Sequence, residues 1–442
     1  MNKKTVNTPL VFVVIYILMT ILLSFIGPVK YYNYSYGYML FFMTLVIIAI
    51  VTGYLSTSKS YILNQKRFLF KSSRFFAKES TIDLIVQFSI IIALAFEVMI
   101  FVSYSKSISS FSLQTIFYNI INIGKIYQIS LDVARESRDV SLLRQFITLF
   151  GVFKQIAIVG YLIRSDRLVK FKIFFWITLI LSMVNVLAFK GTQKEIGDLA
   201  IYFLSVWMIK HAMRGNIKLS KILVPILILV FGVFGFMQLS RASTYNINIK
   251  EFHNSFFMFN SNHIVYKLFG SKMGFAITSV IFYVSGGYYG LTKSLLVPFR
   301  WTYGLGNSFA LSSYAAQYFG FENMIVNSIP SRAEAITGYP ALMYWSTMFP
   351  WIASDLTFPG SIVFMFAIAR IYSICWKESV HRNNLLSALL FSRLNIMWAF
   401  LPANNQLMQT RESTLATLFL LIIWFFFHNR FSSMTVKVGR KK

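Results

Sequence analysis

LVFVVIYILMTILLSFI, residues Leu10 to Ile26, contains no charged side chain. The hydrocarbon core of a bilayer takes about 20 mostly apolar residues of helix, and this run with its flanks supplies them. It follows Met1-Asn2-Lys3-Lys4 and reaches Pro28 without a small-residue cleavage site. It therefore reads as an uncleaved signal-anchor with its amino end inside.

Working outward, comparable runs recur near 38–56, 81–104, 141–163, 173–189, 198–210 and 222–239, then near 357–376, 384–401 and 413–428. The 442 residues are 56% hydrophobic, 18% aromatic and only 13% charged, an excess of apolar surface that water cannot dissolve. The runs are continuous rather than alternating, so the backbone is satisfied in lipid by helices and not by a barrel. The expected fold is an all-α polytopic integral membrane protein with about 10–12 transmembrane helices. A soluble enzyme, a secreted disulfide scaffold and a disordered chain are excluded, and the lone Cys375 removes disulfide and thiolate-metal chemistry.

The net charge of +27 could suggest nucleic acid, but the cations sit mostly in short loops between apolar runs, where they set topology. Nucleic acid is not an expected partner. Lys59, Lys66, Arg67, Lys71, Arg74 and Lys78 mark one inner loop, Arg164, Arg167, Lys170 and Lys172 a second, and Lys210, Arg214, Lys218 and Lys221 a third. Lys377, Arg382 and a tail of Arg430, Lys437, Arg440, Lys441 and Lys442 are also inside, so both termini are expected to be cytoplasmic.

This parity makes 241–356 begin and end outside, between an N-terminal bundle of about seven helices (1–240) and C-terminal helices with a basic tail (357–442). Within the outer region, Gly274 to Phe299 either re-enters without crossing or crosses and returns through Asn307 to Phe321. Ten spans plus a re-entrant or interfacial hairpin is the preferred count. No internal repeat is visible, which disfavours transporters built from two similar halves.

The outer region is rich in Gly, Tyr, Trp and Asn: Gly286 to Leu291, Trp301 to Ser308, Ser331-Arg332-Ala333-Glu334 and Trp345 to Gly360. Such residues suit sugar faces and hydroxyls, or equally an interfacial aromatic belt. Six outer cations run against the orientation rule: Lys190, Lys194, Arg241, Arg300, Arg332 and Arg411. They could grip the phosphates of a lipid diphosphate, or snorkel and pair with Glu195, Glu334 or Glu412. Glu334 and Asp355 are candidate bases for a glycosyl acceptor hydroxyl, with ion pairing or helix capping as the alternative and His253 and His263 behind them. Glu97, Arg144, Lys154, Arg370 and Arg393 lie inside apolar runs and are costly there. No nucleotide-phosphate loop, zinc helix motif or outer paired-aspartate metal motif occurs, so no cofactor is expected.

At Gly286 to Leu291, Trp301 to Ser308, Trp345 to Gly360 and Leu401-Pro402-Ala403-Asn404-Asn405-Gln406-Leu407, the chain resembles the Wzy-type O-antigen polymerases. These are the oligosaccharide repeat-unit polymerases of bacterial inner membranes. The Arg-x10-Gly spacing of some members is absent. The resemblance implies a metal-independent glycosyltransferase at the periplasmic face, acting on undecaprenyl diphosphate-linked oligosaccharide. Membrane lipids and a chain-length regulator are the further implied partners. It assigns Arg241 with Lys190 or Lys194 to the donor diphosphate, Glu334 or Asp355 to the acceptor hydroxyl, and Tyr288, Tyr303, Trp345 and Asn405 to sugars. A flippase for the same lipid-linked sugar, or a ligase, is the alternative.

Overall fold

The computed structural model describes residues 3–57, 78–106, 112–136, 148, 151–215, 220–340 and 343–428. The basic loop positions Lys59 to Arg74, Lys218, Arg144 and the tail from Arg430 lie outside the described residues.

Helices dominate the described residues, and six of the helical stretches are long and apolar enough to cross a membrane. The helices begin with α1 (Lys3–Ile26), α2 (Tyr36–Leu55) and α3 (Glu79–Lys106). Two shorter helices, α4 (Leu113–Ile121) and α5 (Ile123–Glu136), lie at one end. Then α6 joins helical pieces Gly151–Gln155 and Tyr161–Arg164 through a π-helical turn, Ile156–Gly160. Helix α7 (Lys172–Val184) runs on into a second π-helical turn, Asn185–Lys190. Helices α8 (Lys194–Met213) and α9 (Ser220–Thr244) complete the N-terminal set.

The outer region contributes α10 (Ile264–Ser285), α11 (Gly287–Ser294), α12 (Phe309–Phe319) and α13 (Ile329–Thr337). Helices α14 (Phe349–Arg382), α15 (Leu385–Phe400) and α16 (Arg411–Phe427) close the bundle. The outward faces of these helices are apolar. Val11, Ile15, Leu18 and Leu22 form one exposed stripe and Ile173, Ile177 and Ile180 another, at the spacing of a helix face. Exposed apolar stripes of this extent suit lipid and would aggregate in water. The chain is a multi-pass membrane protein.

Residues 241–356 fold over one end, the capped end. There β1 (Val29–Tyr31) pairs antiparallel with β2 (Phe257–Phe259), in the register Val29 to Phe259. Met348 N–H donates to Leu401 O (3.0 Å), and Arg411 Nη2 donates to Ser313 Oγ (2.9 Å). At the opposite end Arg164 and Arg167 bind Glu79 and Asp83, Tyr54 OH donates to Val6 O, and Lys210 Nζ donates to Ser165 Oγ.

The stretch Ile264–Ser294 is long and apolar enough to cross a membrane. Its contacts show that it re-enters instead. His263, at its start, lies within 3.2 Å of Ile26 O, while Tyr288 shares a hydrogen bond with Thr20 (2.9 Å). Thr20 is six residues from Ile26, about 9 Å along α1 at 1.5 Å per residue. Twenty-five residues of chain therefore gain little depth. The helix breaks at Gly270, with φ +70°, and by Gly287 the backbone is back against Pro402 and Thr347 at the capped end. By length and hydropathy six stretches among the described residues could span a membrane, this one included, against the ten spans plus a re-entrant or interfacial hairpin expected from the sequence.

Helix α14 breaks at Thr357 (φ +65°, ψ 167°), just before Pro359. Its first part lies in the cap and the rest crosses beside α2. A straight helix of 34 residues would be about 51 Å long, well beyond a hydrocarbon core of about 30 Å. The bend falls at the 356/357 boundary read from the sequence.

Candidate functional site

Two non-standard turns shape the capped half of the bundle. The π-helical turn Asn185–Lys190 ends α7, and Gly191 then adopts φ +62°. A Cβ at Gly191 would sit 2.7 Å from Tyr127 N and 2.8 Å from Ile123 O, so only glycine lets the chain reverse there. Helix α8 starts at Lys194, which leaves Lys190 and Lys194 on either side of one tight turn. The second π-helical turn, in α6, lies next to Gln155. Such turns gather at functional sites because they re-aim side chains within a helix.

Between α6, α7, α8, α15 and α16 lies a cavity of about 540 Å³. Five basic side chains line it: Lys154, Lys190, Lys194, Arg393 and Arg411. Three carboxylates accompany them: Glu195, Asp198 and Glu412. Cationic excess within low-dielectric walls focuses a positive potential into the space.

Lys154 is the most fully paired of the five. Its Nζ donates to Glu97 Oε1 and to Ser182 Oγ, both at 2.6 Å, and Asn185 Nδ2 donates to Glu97 Oε2 (2.8 Å). Lys190 lies 3.9 Å from Glu195, whose other oxygen accepts from Thr192 Oγ1 (2.6 Å), and Lys194 lies 3.5 Å from Asp198. Asp198 Oδ1 accepts no hydrogen bond among the described residues.

Arg393 is 5% exposed and donates only to neutral groups. Nε binds Thr417 Oγ1 (3.0 Å), Nη1 binds Tyr202 OH (2.9 Å), and Nη2 binds Ser413 O and Oγ, both at 2.7 Å. Among the described residues no carboxylate reaches ion-pair distance of it. Asp198 acts on it only from beyond contact distance; a buried charge so weakly countered is expensive, and an anion in the adjoining cavity would add to its counter-charge. Arg411 stands at the rim, over the Tyr314 ring (4.9 Å).

Three of the six cations expected on the outer side, Lys190, Lys194 and Arg411, thus meet at one cavity. Arg241 stands behind it: Nη2 donates to Gly191 O (3.0 Å) and the guanidinium lies 3.7 Å over the Tyr127 ring, so it braces the turn without lining the space. Arg300 and Arg332 lie elsewhere in the cap, Arg332 donating to Pro298 O (2.8 Å).

Neither candidate base lines the cavity. Asp355 accepts from Thr302 Oγ1, Gly304 N, Asn307 N and Asn307 Nδ2, closing the 302–307 loop. Glu334 belongs to α13 in the cap. Tyr288 is fully buried against Thr20, Asn405 is 5% exposed beside Asn307 O, and Trp345 packs on Tyr283 at 3.9 Å. Tyr303 is exposed beside Trp301. None of these four lines the charged cavity. His263 caps α10 by accepting from Val265 N (3.3 Å), and His253 Nδ1 lies 3.1 Å from Glu251 O.

The four motifs behind the family resemblance do converge. A Cβ on Gly287 would lie 2.1 Å from Pro402 O, and one on Gly290 would lie 2.5 Å from Trp345 O. Asp355 ties the 345–360 stretch to the 301–308 stretch. They form the packed floor of the cap, and the charged cavity adjoins it. Arg393 and Lys154 stand out in the sequence only as charges inside apolar runs. What distinguishes Asp198 and Tyr202 is their spacing on α8 from Lys194 and Glu195.

Among the described residues no group of three metal-ligating side chains occurs. No family model, characterised protein or solved structure compared with the chain matches it.

Proposed function

We propose that the chain is a repeat-unit polymerase of the O-antigen type in a bacterial inner membrane, with the capped end periplasmic. It would transfer a glycan from its polyprenyl diphosphate carrier to a hydroxyl of a second lipid-linked unit. The observation that carries this reading is the convergence of Lys190, Lys194, Arg393 and Arg411 on one cavity with too few carboxylates to neutralise them.

In the reaction the acceptor oxygen forms a bond to the anomeric carbon as that carbon's bond to the diphosphate oxygen breaks. The lipid diphosphate leaves with the bonding electrons, and the acceptor proton passes to a carboxylate. Lys190, Lys194 and Arg411 contact the diphosphate, and Arg393 supports the charge from below. Preorganised donors aimed at developing negative charge are the largest lever available to such a site. Arg241 is a positioning residue that fixes the Gly191 turn. On geometry the base role passes from Glu334 or Asp355 to Asp198, whose Oδ1 is not engaged. The donor carries its own leaving group, which fits a chain without a nucleotide-phosphate motif.

Purified protein in nanodiscs, given only lipid-linked repeat units and a chelator, tests the reading. A ladder of longer lipid-linked products is expected. Translocation without bond formation would identify a flippase, and inertness until a different acceptor is added would identify a ligase.

A further inference from the structure

Helix α8 carries two different faces. Glu195, Asp198 and Tyr202, spaced three and four residues apart, line the charged cavity. Gly197, Ala200, Ile201 and Leu204 follow the same spacing on another face and line a separate cavity of about 220 Å³. That second space is walled by apolar side chains of α9 and of the re-entrant α10, including Phe234 and Val284. Lys194 lines both. Beside it at the head of the apolar groove is Gln193, 9% exposed, whose Nε2 has no hydrogen-bond partner among the described residues. A buried amide donor without an acceptor normally costs free energy, and an anionic oxygen held at Lys194 would satisfy it. The groove stays open because its α8 wall is small: a Cβ on Gly197 would meet only Phe400 Cζ, at 3.7 Å.

We infer that the apolar groove beside Lys194 holds the first isoprene units of a prenyl diphosphate whose phosphates lie at Lys194 and Gln193. This inference rests on the polymerase reading for the identity of the lipid anion. Lys194 to Leu204 spans about 15 Å along α8, so the groove takes the proximal chain and the bilayer takes the rest. One lysine at the junction of a charged and an apolar space matches a ligand with a charged head on an apolar tail, and matches free diphosphate poorly.

The test uses the full chain in nanodiscs, with farnesyl diphosphate and inorganic diphosphate as probes. Wild type should bind the prenyl probe about tenfold or more tightly than the inorganic one, a difference of about 1.4 kcal/mol. Ala200→Phe and Gly197→Leu fill the groove and should abolish that preference while inorganic diphosphate still binds. Lys194→Ala should weaken both. Equal binding of the two probes by wild type, or a prenyl preference that survives Ala200→Phe, would overturn the inference. In parallel, a photoreactive prenyl diphosphate should label peptides of α8, α9 or α10 in wild type, and labelling confined to other helices would overturn it without reliance on any variant. Prenyl binding with no glycan ladder in the polymerisation assay would sink the enzymatic reading and leave the groove standing.

Discussion

Arg393 spends its donors on Thr417, Tyr202 and Ser413, a forked pattern that lysine cannot reproduce. Arg393→Lys should keep the protein folded yet lower the polymerisation rate about tenfold or more, because the charge is retained and its placement is lost. Rate at saturating lipid-linked substrate, set beside protein level in membranes, checks this. Lys154 makes a different prediction. Lys154→Met leaves Glu97 buried with only Asn185 as donor and should destabilise by about 1–3 kcal/mol, less than a fully buried pair would because the Lys154 side chain is 35% exposed. Adding Glu97→Gln should restore most of that loss in a thermal melt in detergent. Both residues are visible in the sequence as charges inside apolar runs. Glu97, the partner of Lys154, is visible in the same way, but Tyr202, Ser413 and Asn185, which complete the two networks, lie on other helices and carry no sequence mark of their pairing.

Close approach of backbones governs the element scale. Helix α11 packs so near the 345–347 and 401–402 turns that a Cβ on Gly287 would lie 2.1 Å from Pro402 O. Gly287→Val should therefore destabilise by about 1–3 kcal/mol, as overpacking does. Gly232 in α9 has nothing within 4 Å of such a Cβ, so Gly232→Ala should be neutral or stabilising by up to about 1 kcal/mol. Melting the two variants side by side separates packing from helix propensity. The apolar runs make the spans legible because length and hydropathy suffice to define them. The same criteria mislead at Ile264–Ser294, which qualifies as a span, since only the break at Gly270 and the contacts of Tyr288 turn it back. The π-helical turns leave no pattern in the sequence, and the aromatic motifs of the cap are equally compatible with packing and with sugar contact. Packing explains Tyr288 and Trp345.

At the scale of the whole molecule, charge is divided between the two ends. The capped end gathers the cavity-lining cations, and the opposite end holds the Arg164, Glu79 and Asp83 network. The proposed orientation predicts that, in a Cys375→Ser background, Glu322→Cys is labelled by impermeant maleimide from the periplasm and Asp166→Cys only after the inner membrane is opened. Both positions are exposed, whereas Cys375 is fully buried. The most direct measurement of the central claim is polymer length made in nanodiscs by a Lys190→Gln, Lys194→Gln, Arg411→Gln triple variant supplied with lipid-linked repeat units. Loss of the product ladder, with melting temperature unchanged from wild type, is the predicted result. A full-length ladder from the folded triple variant would contradict the account.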